Sequence, residues 1–268
     1  MNVPYTLNSI LLQNNTFSGL NLRQNLIVLE EVTSTNDYLK LLLSNIKPLA
    51  EGTAIMTKHQ SQGRGQRGTA WLTKPEENLT VSFLLYPNSL PVQHAFNLNI
   101  LVSLGVHQWL THYIKDVYIK WPNDIFVGQK KIGGILIENQ LRGAMVKSSI
   151  VGIGININQQ DFPDSLKTSA TSLKQHLKSA KNLDIEACCR DMLTQIFTLY
   201  KQSDLKHPEK IRAAYTALLL MHGKPALFEV NEKQIEGTIQ GVDSLGRLIV
   251  LIGQSTQSFD LKEIRLLI

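Results

Sequence analysis

Apolar and polar positions along the chain alternate between two periods, one suited to strands and one to helices. Residues 25–32 (NLIVLEEV) carry a nearly unbroken apolar run, which predicts a strand. Thr33-Ser34-Thr35-Asn36 are N-cap residue types, and Tyr38, Leu39, Leu41, Leu42 and Leu43 supply the apolar face of a helix behind them. Residues 53–57 read as a short buried strand running into a polar, glycine-rich loop at 59–68, and 79–86 as another strand. Phe96, Ile100, Leu104, Trp109 and Tyr113 recur at helical spacing. Residues 117–120 and 125–127 are strand pieces flanking Trp121-Pro122-Asn123-Asp124, where the proline argues against one uninterrupted central strand. Residues 132–138 and 149–158 read as a strand pair interrupted by glycines, and 184–200 and 208–221 as helices. The first of these helices has an apolar face at Ile185, Cys188, Met192, Ile196 and Leu199.

Past Met221 the segments shorten. Residues 226–230, 234–242, 248–252 and 255–261 alternate apolar and polar, with turns at Asn231-Glu232, Ser244-Leu245-Gly246 and Gly253-Gln254. So many short strands in so small a stretch predict a compact β-barrel behind an α+β part that is not doubly wound. The expected domains are 1–221 and 222–268.

Composition changes this picture little. With 43% hydrophobic and 18% charged residues, the chain can build a real core. No apolar run is long enough to span a bilayer, and no secretory signal is seen at the N-terminus. Cys188 and Cys189 are adjacent in a helical stretch, so they do not face each other, and neither a disulfide nor a shared metal site is expected. Reduced, partly packed thiols point to the cytoplasm. Asn14-Asn15-Thr16 and Asn78-Leu79-Thr80 match the glycosylation acceptor by chance in that setting. The net charge of +5 is spread along the chain and fits a phosphate-bearing ligand, nucleic acid or an acidic protein equally. The histidines have no metal-ligand spacing, and there is no Walker A loop or G-x-S-x-G elbow.

Three segments carry candidate chemistry. Gly63-Arg64-Gly65-Gln66-Arg67-Gly68, with Trp71 behind it, combines backbone N–H groups free to approach a ligand with fixed positive charge, a combination suited to a carboxylate or phosphate. It opens onto Pro75 rather than a long helix, which disfavours a dinucleotide fold. Lys120-Trp121-Pro122-Asn123-Asp124 precedes Lys130-Lys131-Ile132-Gly133-Gly134-Ile135-Leu136-Ile137-Glu138. A glycine pair weakens a strand, and the usual compensation is close approach of another group; Lys131 would point its ammonium into that space. In Val151-Gly152-Ile153-Gly154-Ile155-Asn156-Ile157-Asn158, Gly152 and Gly154 share one pleat face, leaving it bare for something flat.

In this order, Thr33-Ser34-Thr35-Asn36, Gln60 with the GRGQRG loop and Trp71, KWPND, KKIGGILIE and GIGININ resemble the biotin–protein ligase (biotin–[acetyl-CoA-carboxylase] ligase) family, with a weaker match at Ala170-Thr171-Ser172-Leu173. The resemblance is close from Leu26 to Leu173 and looser beyond. It implies a catalytic domain similar to class II aminoacyl-tRNA synthetases, with a mixed sheet and flanking helices, and a small SH3-like barrel. It implies an ATP-dependent ligase that forms biotinyl-5'-AMP and passes biotin to a lysine of a biotin carboxyl carrier domain.

Carried over by position, the resemblance places Ser34, Thr35, Asn36 and Gln60 on the biotin ring, with Gly134 beside it. Gly63, Arg64, Gly65 and Gln66 wrap the biotin carboxylate and α-phosphate. Trp71 and Asn156 contact adenine, and Arg67 and Asn123 the nucleotide. Lys131, Arg64 and Asp124 are the expected catalytic residues, and Mg²⁺ enters on the ATP phosphates with unassigned protein ligands. Gln66 departs from the family, many of whose members have arginine there. Only about two dozen residues precede the first strand, with no pair of helices of useful length, so no repressor function, DNA partner or membrane partner is expected. Monomer and homodimer both stay open. A lipoate–protein ligase or octanoyltransferase on the same scaffold is the nearest rival; a nucleic-acid-binding protein is the rival from another class.

Overall fold

A computed structural model describes residues 26–46, 48–87 and 90–268, with only the backbone described at Arg67. The Asn14-Asn15-Thr16 acceptor and the expected lack of a helix pair before the first strand fall outside the described residues. The chain builds a seven-stranded sheet and a five-stranded sheet. The first runs β1-β2-β3-β7-β6-β5-β4, from β1 (Leu26–Val32), β2 (Ala54–Gln60), β3 (Asn78–Leu85), β4 (Val117–Lys120), β5 (Asp124–Val127), β6 (Lys130–Arg142) and β7 (Met145–Asn156). Among the described residues, only β1 and β2 of this sheet's strands pair in parallel, joined through helix α1 (Thr35–Asn45); its other strand pairs are antiparallel. This is the expected α+β arrangement.

Both faces of the central strands are buried, and the two-residue pleat sorts them. On one face Ile55, Leu84 and Ile150 pack against Leu39 and Leu42 of α1. On the other, Met56, Phe83, Val151, Ile153 and Ile155 join the main core with α2 (Phe96–Thr111) and α4 (Ile185–Gln202). Ser34 starts α1: its backbone is extended (φ −152°), and its hydroxyl accepts the Asp37 N–H at 3.4 Å, satisfying one otherwise orphan donor. Leu39 is fully buried, so Leu39→Ala would cost about 2–5 kcal/mol and loosen α1 from the sheet. Every residue of α2 from Asn97 to Val106 is buried, as expected of a helix enclosed on all sides. At Gly105 a Cβ would lie 2.7 Å from Ile196 Cγ1, so α2 and α4 touch where only glycine fits. Cys188 and Cys189 lie in α4, free and buried, and burial pushes both thiols up.

Some boundaries move. β6 and β7 run straight through their glycines and are not interrupted. β2 continues to Gln60, so the polar loop begins later than expected. The helix expected over 208–221 is α5 (Glu209–Ala217), because the next residues leave it to extend the sheet: Ile119 N–H donates to Leu218 O at 2.9 Å and Leu220 N–H to Ile119 O at 2.8 Å. The one-turn helix α3 (Leu173–His176) was not foreseen.

The second sheet runs β11-β10-β9-β8-β12, all antiparallel, from β8 (Pro225–Val230), β9 (Lys233–Val242), β10 (Leu248–Ile252), β11 (Ser255–Phe259) and β12 (Arg265–Leu266). Asn231 and Glu232 both take positive φ (50° and 63°), the conformation of a tight hairpin turn. Phe228, Ile239, Leu248 and Val250 belong to the same buried cluster as the first sheet's core, and Trp121 Nε1–H donates to Gly246 O at 2.9 Å.

Candidate functional site

A cleft of about 360 Å³ lies on the α1 side of the seven-stranded sheet, between the 63–71 loop and the second sheet. Thr80, Gly134, Leu136, Gly152 and Gly154 form part of its wall. Their spacing follows from the pleat: Gly152 pairs with Ser82 and Leu136, and Gly154 with Thr80 and Gly134, so all lie on one face. The bare notch expected at the two glycines is present, and the chain's own side chains occupy it. A Cβ at Gly152 would lie 2.3 Å from Asn36 Oδ1, and one at Gly154 2.4 Å from the Trp71 ring.

One end of the cleft is a buried hydrogen-bond network. Thr35 donates its backbone N–H to Gln60 Oε1 at 2.9 Å, and Thr35 Oγ1 lies 3.3 Å from the same oxygen. Ser82 Oγ lies 2.7 Å from Thr35 Oγ1 and 2.5 Å from Asn36 Oδ1. Asn36 Nδ2 donates to Glu138 Oε2 at 2.7 Å, and Lys40 pairs with the other carboxylate oxygen at 2.5 Å. Burial alone would raise the Glu138 carboxyl, but the hydrogen bonds from Lys40 and Asn36, with the charges of Lys40 and Arg64, hold it below the usual carboxylate range.

The other end is charged. Lys131 Nζ pairs with Asp124 Oδ1 at 2.7 Å and sits 5.6 Å from the centre of the Trp71 ring. The strand around Lys131 is pinned on its far side, where Lys131 N–H donates to Ser169 O and Thr171 N–H to Lys131 O. The Pro122 carbonyl accepts from Asn99 Nδ2 at 2.5 Å and from the fully buried Tyr215 hydroxyl at 2.9 Å, which fixes the turn carrying Asn123 and Asp124. Asn123 in turn donates to Ile135 O at 2.5 Å. Trp71 Nε1 is buried and has no hydrogen-bond partner among the described residues.

The GRGQRG loop folds as a small hairpin: Trp71 N–H donates to Gly63 O at 2.9 Å, Gly65 N–H to Thr69 O at 2.6 Å. Gly63 has no room for a side chain, since a Cβ would lie 2.3 Å from Trp71 O. Arg64 turns outward to Asp37 at 2.5 Å, with Glu138 3.6 Å away. Of the expected residues, Ser34, Thr35, Asn36 and Gln60 line the cleft. So do Arg64, Gly65, Gln66 and Trp71, and Asn123, Asp124, Lys131 and Gly134. Gly63 supports the loop from behind. Asn156 stands off the wall, its amide donating to Thr171 O at 2.9 Å. The Arg67 side chain lies outside the described residues.

The sequence did not single out Ser82, Glu138, Lys120 or Arg265. Lys120 lines the cleft, and burial lowers its pKa, with Asp124 opposing that shift and Lys131 and Arg265 adding to it. A desolvated ammonium next to other cations is a ready partner for an anion. Its place at the head of KWPND was the available signal. Arg265 lines the cleft from β12, 145 residues beyond Lys120, a proximity that no local pattern reveals. Among the described residues no cluster of three or more metal-ligand side chains occurs, and no helix is long and apolar enough to cross a membrane.

The α+β scaffold thus carries one cleft that joins a rigid hydrogen-bonding end to a cationic, aromatic end. Residues 28–156 match the model of the biotin/lipoate A/B protein ligase family. Those residues carry that family's domain. It is 36% identical to the bifunctional ligase/repressor BirA of Bacillus spizizenii over 66% of this chain and 58% of that protein. It is 28% identical to the biotin–[acetyl-CoA-carboxylase] ligase of Paracoccus denitrificans over 83% of this chain and 92% of that one. The fold superposes on the biotin protein ligase of Aquifex aeolicus in complex with biotin and ATP with a TM-score of 0.74, at 29% identity, over 91% of this chain and 99% of that one. The chain therefore spans little more than half of the Bacillus spizizenii relative but nearly all of the Paracoccus and Aquifex ones.

Proposed function

We propose that the chain is a biotin–protein ligase that activates biotin with ATP and transfers it to a lysine of a biotin carboxyl carrier domain. The observation that carries this reading is the union, in one cleft, of the Thr35–Gln60 polar end with the Lys131–Asp124 pair under Trp71. The first end suits a small uncharged ring rich in hydrogen-bonding groups, and the second suits two anions brought together. A nucleic-acid-binding role would leave the buried polar end without a purpose, and a lipoyl or octanoyl chain would leave its hydrogen-bonding groups unpaired.

In the first step a biotin carboxylate oxygen attacks the α-phosphorus of ATP, the bond to the departing pyrophosphate breaks, and biotinyl-5'-AMP forms. Charge accumulates where two anions meet, and Lys131, Lys120 and Arg64 are the cations placed to offset it. Asp124 is the one acidic side chain on the cleft wall among the described residues, and Lys131 already holds it. Asp124 is the protein group that would hold Mg²⁺ beside the phosphates, where the ion would supply charge neutralisation.

Once Lys131 turns to the ligand, Asp124 is left to hold the incoming lysine ammonium. In the second step the ammonium passes a proton to the Asp124 carboxylate, the amine attacks the acyl carbon, the acyl C–O bond to the phosphate breaks, and an amide forms while AMP leaves with the amine's second proton on its phosphate. The GRGQRG hairpin and Trp71 close over the mixed anhydride and keep water from it. We assign catalysis to residues 1–221 and the second sheet to a module at 222–268 that completes the cleft through Arg265, in a cytoplasmic enzyme.

Biotin-dependent exchange of labelled pyrophosphate into ATP tests this, with lipoate in parallel. Exchange with biotin alone is the expected result; exchange with lipoate alone would move the chain to the sister activity, and none with either would remove the adenylation chemistry.

A further inference from the structure

The polar end of the cleft has more hydrogen-bond acceptors than its hydroxyl protons can serve, and this fixes the direction of every bond in it. Asn36 Nδ2 faces the Glu138 carboxylate at 2.7 Å, a group that only accepts, so the Asn36 amide cannot flip. Its Oδ1 therefore faces Ser82 as an acceptor, at 2.5 Å, and takes the single Ser82 proton. Ser82 Oγ then has only lone pairs to offer Thr35 Oγ1, 2.7 Å away, and that contact needs the Thr35 proton. The other possible destination of the Thr35 proton, Gln60 Oε1 at 3.3 Å, also lies inside the network, and the Thr35 backbone N–H fixes that oxygen as an acceptor. Ser82 is fully buried and Thr35, Asn36 and Gln60 nearly so, which leaves water little access to reset these directions.

We infer that Ser82, Asn36 and Glu138 form a relay that holds the Thr35 hydroxyl as a hydrogen-bond acceptor toward the cleft, making this end of the site selective for a ring N–H on its ligand. The relay begins at a carboxylate held ionised by Lys40 at 2.5 Å and ends at a neutral hydroxyl on the cleft wall. Gly152 is part of the device, since any Cβ there would collide with Asn36 Oδ1 at 2.3 Å. Ser82 and Glu138 act through Thr35 and are positioning residues.

The inference rests on the biotin reading, in which the ligand ring is a cyclic urea with two N–H groups. The test is titration calorimetry of biotin and of its two cyclic carbamate analogues, each with one ureido N–H replaced by a ring oxygen. Wild-type protein, Ser82→Ala and Glu138→Gln are compared. Wild type is expected to prefer biotin over one of the carbamates by about 100-fold or more, because that analogue sets one acceptor against another. In Ser82→Ala the Thr35 hydroxyl keeps only the longer 3.3 Å approach to Gln60 Oε1 and can turn its proton toward the ligand, so biotin weakens about tenfold and the ratio drops to about tenfold or less. Glu138→Gln, which permits the Asn36 amide to flip, lowers the ratio in the same direction, and the packing beneath it is unchanged. A Ser82→Ala protein with the wild-type ratio overturns the relay, as does a wild type that accepts both carbamates as well as biotin. A wild type that binds no biotin brings down the functional reading itself, and the relay with it.

Discussion

The two ends of the cleft differ in how their polar groups are satisfied. At the Thr35 end, Thr35, Asn36, Gln60 and Ser82 are all buried and their hydrogen bonds run through one connected network. At the Lys131 end, Lys131 and Asp124 keep 34% and 28% of their side-chain surface exposed, and the buried Trp71 N–H has no partner among the described residues. A connected buried network resists rearrangement, because breaking any bond leaves a group unpaired. A partly exposed ion pair can exchange partners at little cost. Recognition is thus placed where the protein is stiff, and charge handling where it can change hands.

The largest expected effect is at the charged end. Lys131→Ala should lower pyrophosphate exchange by about 100-fold or more while leaving the unfolding transition near wild type; a variant with over a tenth of wild-type exchange would take Lys131 out of the chemistry. Next comes a direct contrast between the two glycines of β7. Gly152→Ala drives a methyl into the clamped Asn36 amide and should cost about 1–3 kcal/mol in urea unfolding. Gly154→Ala meets only the Trp71 ring on its loop, and should cost less than about 1 kcal/mol. Equal losses would mean that the two ends are equally stiff.

A third effect is on pH dependence. The Glu138 carboxyl is held below its ordinary value of 4.5, so the unfolded chain takes up this proton first as pH falls. Its stabilising contribution is complete above that value and is lost as pH drops through it toward the folded-state value. The stability gap between wild type and Glu138→Gln should therefore narrow between about pH 5 and pH 3; a gap that stays constant there would count against an ionised Glu138. Smallest is Arg64→Ala. Its pair with Asp37 is 43% and 48% exposed, so unfolding should shift by about 0.5 kcal/mol or less, and the change should be seen as faster release of the activated product. A large loss of stability would place Arg64 in the rigid half.

Local pattern revealed the elements but not what fills the space between them. The Ser34 cap, the alternation of β7 and the turn at Asn231-Glu232 depend on neighbours in sequence, and all are where the pattern places them. The bare face at Gly152 and Gly154 was legible for the same reason. Its occupants, Asn36 and Trp71, come from elsewhere in the chain and were not. Asn36 meets Ser82 across 46 residues and Glu138 across 102, and no periodicity carries such contacts. The overlong helix at 208–221 failed because Leu218, Leu219 and Leu220 are as apolar in a sheet extension as in a helix, and only β4 beside them decides.

Trp71 over Gly154 also gives this protein an internal optical reporter. The chain has three tryptophans, Trp71, Trp109 and Trp121. Trp109 is 1% exposed in the core against Tyr113 and supplies a steady background emission, while Trp121, which also lines the cleft, is tied to Gly246 of the second sheet. Trp71 alone sits on the movable hairpin, its indole beside the Lys131 ammonium and without a hydrogen-bond acceptor among the described residues. Entry of a ligand that draws Lys131 away or lifts the hairpin changes the polarity around the Trp71 ring directly. Stopped-flow emission from the unlabelled protein can then time loop closure separately from the chemical step.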